Sequence, residues 1–489
     1  MYDDTIAAIS TSAGEAGIGI VRISGRDAVP ILRRVFRKSV RGGATDGGGG
    51  CLGPGTGVTG GDATRCGAGE AGGTAGVPFE SHRVYYGQAV DPATGAPIDE
   101  VLVFCMLAPR SYTREDVVEI HCHGGAVPLR RVLLAVLQAG ARPAQPGEFT
   151  LRAYLNGRID LAQAEAVVDV IRSRTEKGLA VAVKGLSGHL SGRVRAIRKE
   201  LLRLLAYLEA TIDFEEDDVP EEDVDGPLAE GLDAVRRLLA TADQGIVCRQ
   251  GIRVAIVGRP NVGKSSLLNA LLRSDRAIVT EIAGTTRDTL EETANLGGVP
   301  VCLVDTAGIA ETRDPVERLG IERSRKAIEE ADLCLMVVDR SVPLLPEDRS
   351  IAASVACKVT ILVANKSDLP PVVTLEGLQS LVPGSTVVET SAVGGEGLEA
   401  LVSSILDVVF SGQVVQSDEL LVSNPRHKGV LMRVETHLRD ALSSRHARLP
   451  ADCTASDLRA AVDALGEITG ETATEELLDT IFSRFCVGK

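Results

Sequence analysis

The sequence predicts a multidomain protein of mixed class: an α+β domain, then a helical domain into which an α/β domain of the P-loop type is inserted. Three observations carry that prediction. The chain has 489 residues, more than one hydrophobic core usually serves. Its 44% hydrophobic content includes only 3% aromatics and no Trp, so the cores must be built from Leu, Val, Ile and Ala, a composition suited to helices and doubly wound sheets. The apolar pattern also changes along the chain. It is strand-like in most of the first 125 residues, helical from Leu161 to Phe214, and from Arg253 onward broken into short apolar runs that end in Gly, Asp or Asn.

Taken in order, residues 5–24 (TIAAISTSAGEAGIGIVRIS) hold two apolar runs separated by glycine, read as strand, loop and strand. From Gly42 to Gly76 the chain is dominated by Gly, Ala and Thr. Such a stretch cannot bury enough surface to offset its ordering entropy, so a disordered insertion is expected at 42–76. Arg83–Val90 and Val101–Leu107 are β-like, Val117–His121 alternates before the Gly124-Gly125 turn, and Val127–Leu137 has helical spacing. This first domain is assigned to residues 1–155. Residues 156–250 then read as helices, with Leu201, Leu204, Leu205 and Leu208 on one face and Arg195, Arg198, Lys199 and Arg203 on the other positions. Helix resumes at Leu228. Beyond a domain at 251–410, Val430–Arg445 and Ala455–Phe485 are again helical, so 411–489 is joined to 156–250 as one helical domain. That joining requires the ends of the inserted domain to lie close together.

Charge and cysteine usage narrow the function classes. A formal charge of -15 argues against a surface built for non-specific nucleic-acid binding. The ten Cys are scattered with no CxxC pair, which fits neither a zinc ribbon nor a disulfide framework and points to a reducing, cytoplasmic setting. The acidic start at Asp3-Asp4 is unlike a signal peptide, and no run approaches the ~20 apolar residues of a membrane span. His121 and His123 fall on one strand face with no third ligand apparent, so a structural or pocket role is favoured over a metal.

The chemistry concentrates after the strand RVAIV (253–257). Gly258-Arg259-Pro260-Asn261-Val262-Gly263-Lys264-Ser265 matches GxxxxGK[ST], with a helix opening at Ser265, through Ser266. Its glycines let the backbone wrap phosphate oxygens, Lys264 reaches the β and γ phosphates, and the Ser265 hydroxyl suits Mg²⁺. Val301–Val304 ends in Asp305-Thr306-Ala307-Gly308, where Asp305 would hold Mg²⁺ through water and Gly308 would sense the γ-phosphate. Val359–Ala364 ends in Asn365-Lys366-Ser367-Asp368. There the Asp368 carboxylate can accept from guanine N1–H and its 2-amino group, selecting GTP as substrate, and Ser391-Ala392 completes the base site. The Gln that orients water in many G proteins is replaced by Ile309. Assistance must come from elsewhere: Glu317, Arg287 or Asp288, or a cation.

These motifs, together with IGIVRISG, SYTREDVVEIHCHGG, PGEFTLRAYLNGRIDLAQAEAV, VERLGIERS, EITGE and FCVGK, make the chain resemble the MnmE (TrmE) family of tRNA-modification GTPases over nearly its whole length. A G-protein switch in ribosome assembly, the alternative reading, would lack the motifs outside 251–410. The resemblance implies a folate-binding, dimerising first domain and a G domain inserted into the helical one. It implies nucleotide contacts along Thr280, Glu281, Ile282, Ala283, Gly284, Thr285 and Thr286, with Thr286 joining Ser265 on Mg²⁺. It also implies K⁺ held at Asn261, Thr280, Ile282 and Thr285, and Glu317 orienting water. Folate contacts carry over to Arg22, Glu119, Arg158 and Lys489, with Cys486 brought beside them. The carbon donor implied is 5,10-methylene-tetrahydrofolate or a formyl analogue. The implied partners are tRNA, a second copy of the chain, and the FAD-dependent protein MnmG (GidA). Lys184, Arg193, Arg195, Arg198 and Arg203 are candidates for a share of the tRNA contacts, although a solvated helix face explains them equally well.

Overall fold

Alternation at period two decides the first part of the chain. The computed structural model describes residues 4–12, 14–39, 78–213, 220, 222–274, 291–305, 325–410 and 421–489. The glycine-rich stretch expected at 42–76 lies outside them. The chain forms two compact units, Met1–Asp160 with Thr474–Lys489, and Leu161–Ala473. Among the described residues no helix is long and apolar enough to cross a membrane.

In the first unit, β1 (Ile6–Ile9), β2 (Ala16–Ser24), β3 (Phe36–Lys38), β4 (Arg83–Val90), β5 (Pro97–Met106), β6 (Val117–Gly124) and β7 (Arg142–Pro143) form a seven-stranded sheet in the order β3-β4-β5-β6-β2-β1-β7. The strand pairs are antiparallel except β1 with β7. Val21, Ile23, Val101, Val103, Val118 and Ile120 share a core with Ile31 and Leu32 of α1 (Ala28–Val35) and Val132 and Val136 of α2 (Ala126–Gln138). The intervening Arg22, Leu102, Phe104, Glu119 and His121 therefore fall on the opposite face.

The second unit brings together helices from both sides of the nucleotide domain. Before it come α4 (Leu161–Arg172), α5 (Glu176–Leu186), α6 (His189–Asp213), α7 (Asp225–Ala240) and α8 (Ala242–Gln250). Leu201, Leu204 and Leu208 of α6 and Leu228 and Val235 of α7 share one core with Leu431, Leu438, Leu458 and Leu465 from beyond it. The nucleotide domain is a six-stranded sheet of β8 (Ile252–Val257), β9 (Glu291–Leu296), β10 (Val299–Asp305), β11 (Leu333–Asp339), β12 (Thr360–Asn365) and β13 (Thr386–Thr390), in the order β13-β12-β11-β8-β10-β9. Only β9 runs antiparallel to its neighbour. β11 and β12 are buried along their whole length, as continuous apolar runs require when both faces of a parallel sheet are covered. Helices α9 (Lys264–Ser274), α10 (Pro346–Val355), α11 (Leu375–Gln379) and α12 (Leu398–Phe410) complete it.

After this domain, α13 (Pro425–His446) and α14 (Ala451–Thr469) return to the helical core, but the chain does not stay there. The continuous helix expected to Phe485 is broken at Gly470, whose φ of +91° ends α14 in a left-handed cap, and Thr474 caps a new helix, α15 (Glu475–Phe482). Thr474–Lys489 clusters with the first unit rather than with the helices to which 411–489 was assigned. Its anchors are specific. Pro146 and Val487 form a β-bridge, Gly147 N donates to Cys486 O at 3.4 Å, and Ser10 Oγ donates to Gly488 O at 3.1 Å.

A buried charge network ties the start of the first unit to α3 (Glu148–Leu155). Arg152, only 1% exposed, donates to Asp4 Oδ1 at 2.7 Å and Glu148 Oε1 at 3.1 Å, and its ion pair with Glu115 spans 3.3 Å. Arg142 bonds the same Asp4 and Glu148 carboxylates. Burial alone would raise the Glu148 carboxyl, but hydrogen bonds from Arg142, Gln145 N and Arg152 hold it below its ordinary 4.5. A folded-state pKa below the unfolded one gives stability that is present above about pH 4.5 and is lost as pH falls through the folded value. Hydrogen exchange in β1 and β2 of the full chain, measured from pH 7 to 3, should therefore accelerate below that point, and Glu148→Gln should flatten the dependence. Arg152→Met, which strands buried carboxylates, should destabilise these strands by about 3 kcal/mol at pH 7.

Candidate functional site

The C-terminal ends of the parallel strands lie along one edge of the six-stranded sheet, where a doubly wound fold binds its ligand. The P-loop leaves β8 there. Asn261, with φ +65°, occupies a left-handed position that Asn tolerates, and stands exposed. Gly263 has φ +100°, and a Cβ on it would come within 2.2 Å of Asn365 Nδ2, so no larger residue fits. Lys264 is 7% exposed and its ammonium donates to Gly258 O at 2.9 Å and Arg259 O at 2.8 Å. Burial pushes its pKa down against the opposing charge of Asp305, so an added anion would stabilise it further.

Ser265 Oγ donates to Asp305 Oδ2 at 3.1 Å, while Asp305 Oδ1 is buried with no hydrogen-bond partner among the described residues. A hydroxyl beside a carboxylate with one unmet oxygen is the donor set a hard divalent cation takes, so the residues fit Mg²⁺. Ser266 is exposed on α9 and Val262 is buried beneath the loop.

At the base side, Asp368 is exposed and its Oδ1 accepts from Ser391 Oγ at 2.7 Å, which orients the carboxylate and leaves acceptor capacity for a ligand. Asn365 is buried and works within the protein. Its Nδ2 donates to Val262 O at 2.8 Å, and its Oδ1 accepts from Ala392 N at 3.1 Å. Thr280, Glu281, Ile282, Ala283, Gly284, Thr285, Thr286, Arg287, Asp288, Thr306, Ala307, Gly308 and Glu317 lie outside the described residues.

Two supports of this pocket were not read from the sequence. Lys366, at φ +63°, pairs with Asp339 Oδ2 at 2.6 Å. Arg259 Nε donates to Asp348 Oδ1 at 2.7 Å, and Asp348 also accepts from Leu345 N at the start of α10. The first carried a signal, since Asp339 closes the apolar run LCLMVV just as Asp305 closes VCLV. For the second, the Pro-Glu-Asp opening of α10 marks a helix start but nothing local points to Arg259.

A second cluster lies on the sheet face of the first unit. Arg22 Nε donates to Glu119 Oε1 at 2.9 Å, and Arg22 Nη1 donates to Gly488 O at 3.0 Å. The Arg22 guanidinium lies 5.9 Å from the Tyr112 ring and 5.7 Å from that of Phe149, and Arg158 lies 4.8 Å from Tyr112. His121 stacks on Phe104 at 4.7 Å with its Nε2 3.3 Å from Glu119 Oε2. His123 is exposed and bonds Asp99 Oδ1 at 2.7 Å. Lys489 N donates to Cys486 O at 3.3 Å, and the Cys486 thiol is exposed. Arg22, Glu119 and the tail before Lys489 thus stand together, with Arg158 joined through Tyr112. A carboxylate, guanidinium groups and an aromatic ring are a donor set that fits the amide edges, ring and acidic tail of a folate.

Three of the basic residues proposed for tRNA make ion pairs within the helical part of the second unit while staying partly exposed. Arg195 and Arg198 both pair with Glu471, and Arg203 pairs with Glu200 and Glu222.

Residues 5–158 match the family description "GTP-binding protein TrmE N-terminus", and residues 161–486 match "MnmE helical domain". The chain is 50% identical over 491 residues to the tRNA modification GTPase MnmE of Chloroflexus aurantiacus and 48% identical over 505 residues to that of Roseiflexus castenholzii, covering 100% of each chain. To the Geobacillus kaustophilus protein of the same name it is 45% identical over 490 residues, covering 99% of each.

The base site makes a sharp demand on Asp368. Asp368→Asn should weaken GTP binding by roughly tenfold or more, as loss of a charge-assisted hydrogen bond does, and should improve binding of XTP, whose C2 oxygen replaces the amino group. Competition between the two nucleotides measures this, and an unchanged preference would remove Asp368 from the base site.

Proposed function

The chain belongs to the MnmE (TrmE) family of tRNA modification GTPases, and we propose that its 251–410 domain hydrolyses GTP to drive modification of the wobble uridine (U34) of certain tRNAs at C5, giving a carboxymethylaminomethyl-type group. The observation that carries this reading is the convergence of Lys264, Ser265, Asp305 and Asp368 at the C-terminal ends of one parallel sheet. Asp368 selects the guanine, Lys264 holds the phosphates, and Ser265, Asp305 and Thr286 hold Mg²⁺. Asn261 with Thr280, Ile282 and Thr285 is proposed to hold K⁺, a positive charge where other G proteins use arginine. Glu317 then orients water, with Arg287 and Asp288 in the same switch segment.

In the first unit, 5,10-methylene-tetrahydrofolate or a formyl analogue is the proposed carbon source, bound by Arg22, Glu119, Arg158 and Lys489. Cys486 is proposed to act beside it. Redox chemistry falls to the flavoprotein partner MnmG, and tRNA is shared between the two in the cytoplasm. A homodimer through the first unit is supported by the exposed Val84, Tyr86 and Leu102 on its open sheet face.

GTP turnover in KCl against NaCl, with and without the flavoprotein, tests the hydrolytic reading. The rate in KCl should exceed that in NaCl by at least about tenfold, as for other electrostatic stabilisers of a transition state, and should rise again with the partner. Equal, negligible rates in both salts would leave a nucleotide-binding scaffold instead. Separately, titration with a reduced folate should give a saturable site that Glu119→Gln weakens by roughly tenfold. Failure of the wild-type chain to bind folate would favour a switch without one-carbon chemistry.

A further inference from the structure

The hairpin of β9 and β10 joins two parts of the second unit. Its open end is Asp305, against the Ser265 hydroxyl of the P-loop. Its closed end is the turn Gly297-Gly298, with φ of +58° and +91°, the pair of left-handed residues that a two-residue hairpin turn needs. Neither that turn nor the middle of β9 faces solvent alone. Gly297 O accepts from Lys177 Nζ at 2.8 Å, and Thr293 Oγ1 accepts from Arg174 Nη1 at 2.7 Å. Lys177 is in the first turn of α5 and Arg174 just precedes that helix, so both belong to the helical part. The fit is close: a Cβ on Gly298 would come within 2.5 Å of Lys177 Cδ, and one on Gly297 within 2.6 Å of Leu406 Cδ1 on α12. The turn is thereby wedged between the Lys177 stem and α12. A third contact backs the same strand, since a Cβ on Gly251, at the end of α8, would meet Pro300 O at 1.9 Å.

We propose that Arg174 and Lys177 are positioning residues for GTP hydrolysis: by holding the β9–β10 hairpin midway along β9 (Arg174 on Thr293) and at its closed end (Lys177 on Gly297), they set where Asp305 stands against Ser265. β10 spans about 20 Å at the rise of an extended strand. It is paired along that length to β9 on one side and β8 on the other, so a displacement at one end reaches the other with little loss. GTP and GDP differ at the phosphate nearest the Asp305 end. Any difference in strand position between the two nucleotides must then appear at the Lys177 and Arg174 contacts. By reciprocity, those contacts bias the preference between the nucleotides to the same extent.

The inference rests on the GTP-hydrolysing reading, and the experiment separates the two. In the full chain, the double variant Arg174→Gln/Lys177→Met is compared with wild type for kcat, and for Kd toward GDP and a non-hydrolysable GTP analogue. The ratio of the two Kd values should shift on the order of fivefold, the low end of measured site-to-site couplings, with kcat shifting alongside. The GDP Kd itself should stay near wild type, because the P-loop and base contacts are untouched. Lys177→Arg, which retains a donor for Gly297 O, should keep the Kd ratio and kcat close to wild type, which a merely structural loss would not allow. Thr293→Val, made from the other side of the contact, should give part of the shift and serves if the double variant melts early. An unchanged ratio and kcat in these variants, with wild type active, overturns the positioning role alone. A wild-type chain that hydrolyses no GTP overturns the reading beneath it.

Discussion

The nucleotide pocket depends on the side-chain amide of Asn365. It is buried at the end of β12, and it faces an acceptor on one side and donors on the other: Val262 O at 2.8 Å, then Ala392 N at 3.1 Å and Thr390 Oγ1 at 3.3 Å. Only a carboxamide presents both roles on one rigid plane. A carboxylate of the same shape would turn an oxygen toward the Val262 carbonyl, and an apolar residue would leave buried partners unmet at about 1–3 kcal/mol each. Through this one group the phosphate loop, the base loop and the loop after β13 take fixed positions relative to each other. The supports at Asp339 and Asp348 do similar work at the two flanks, each clamping a cation within a loop of the pocket. Preorganisation of this kind is what lets exposed Asp368 and buried Lys264 act on a ligand without first being ordered by it.

What could be read from the sequence divides along the distance over which each residue finds its partner. The placement of the P-loop, Asp305 and Asp368 at strand ends was legible because the signal is local, a strand end followed by a few residues of fixed type. The bridge from Asn365 to Val262 spans 103 positions, and no local pattern foretells it. The hairpin strand β9 was missed for a different reason: EETANL buries only Ala294 and Leu296 among its described side chains, too weak an alternation to stand out. The partners of the α6 arginines stayed hidden because a helix face shows its charges but not the acids that will come to meet them. Glu471 reaches Arg195 and Arg198 only after the chain has passed through a whole further domain.

The tail shows the same limit at the scale of a domain. Apolar spacing alone made Ala455–Phe485 one helix of the helical core. Gly470 was the local cue that it is two, but the destination of the second is set by long-range fit. Gly147 would clash with Phe482 O at 2.6 Å if it carried a Cβ, and Gly488 would clash with Ile9 O at 2.3 Å. These close approaches bring the Gly488 carbonyl within reach of both Ser10 and Arg22, so the side-chain cluster of the first unit is completed from Thr474–Lys489.

Inside the second unit, a rigid joint and a yielding one are built from different contacts. Where the chain enters and leaves the nucleotide domain, both crossings are pinned to α4. Asp169 pairs with Arg249 at 2.6 Å on the way in, and Glu165 accepts from Asn424, Arg426 and His427 on the way out. Burial would raise the Glu165 carboxyl, yet the charge of His427 and the hydrogen bonds from it and Arg426 hold it well below the usual carboxylate range. Buried pairs of this sort add little net stability over a packed apolar contact, but losing one partner is costly, so they fix geometry. The hairpin is held differently, by close packing of its turn and by one hydrogen bond at the turn and one midway along β9, both exposed to water and correspondingly weak. Ion pairs that fix the crossings and uncharged acceptors along the hairpin confine any nucleotide-driven displacement to the hairpin. The helical part would then feel the state of the phosphates at Arg174 and Lys177 rather than at α4.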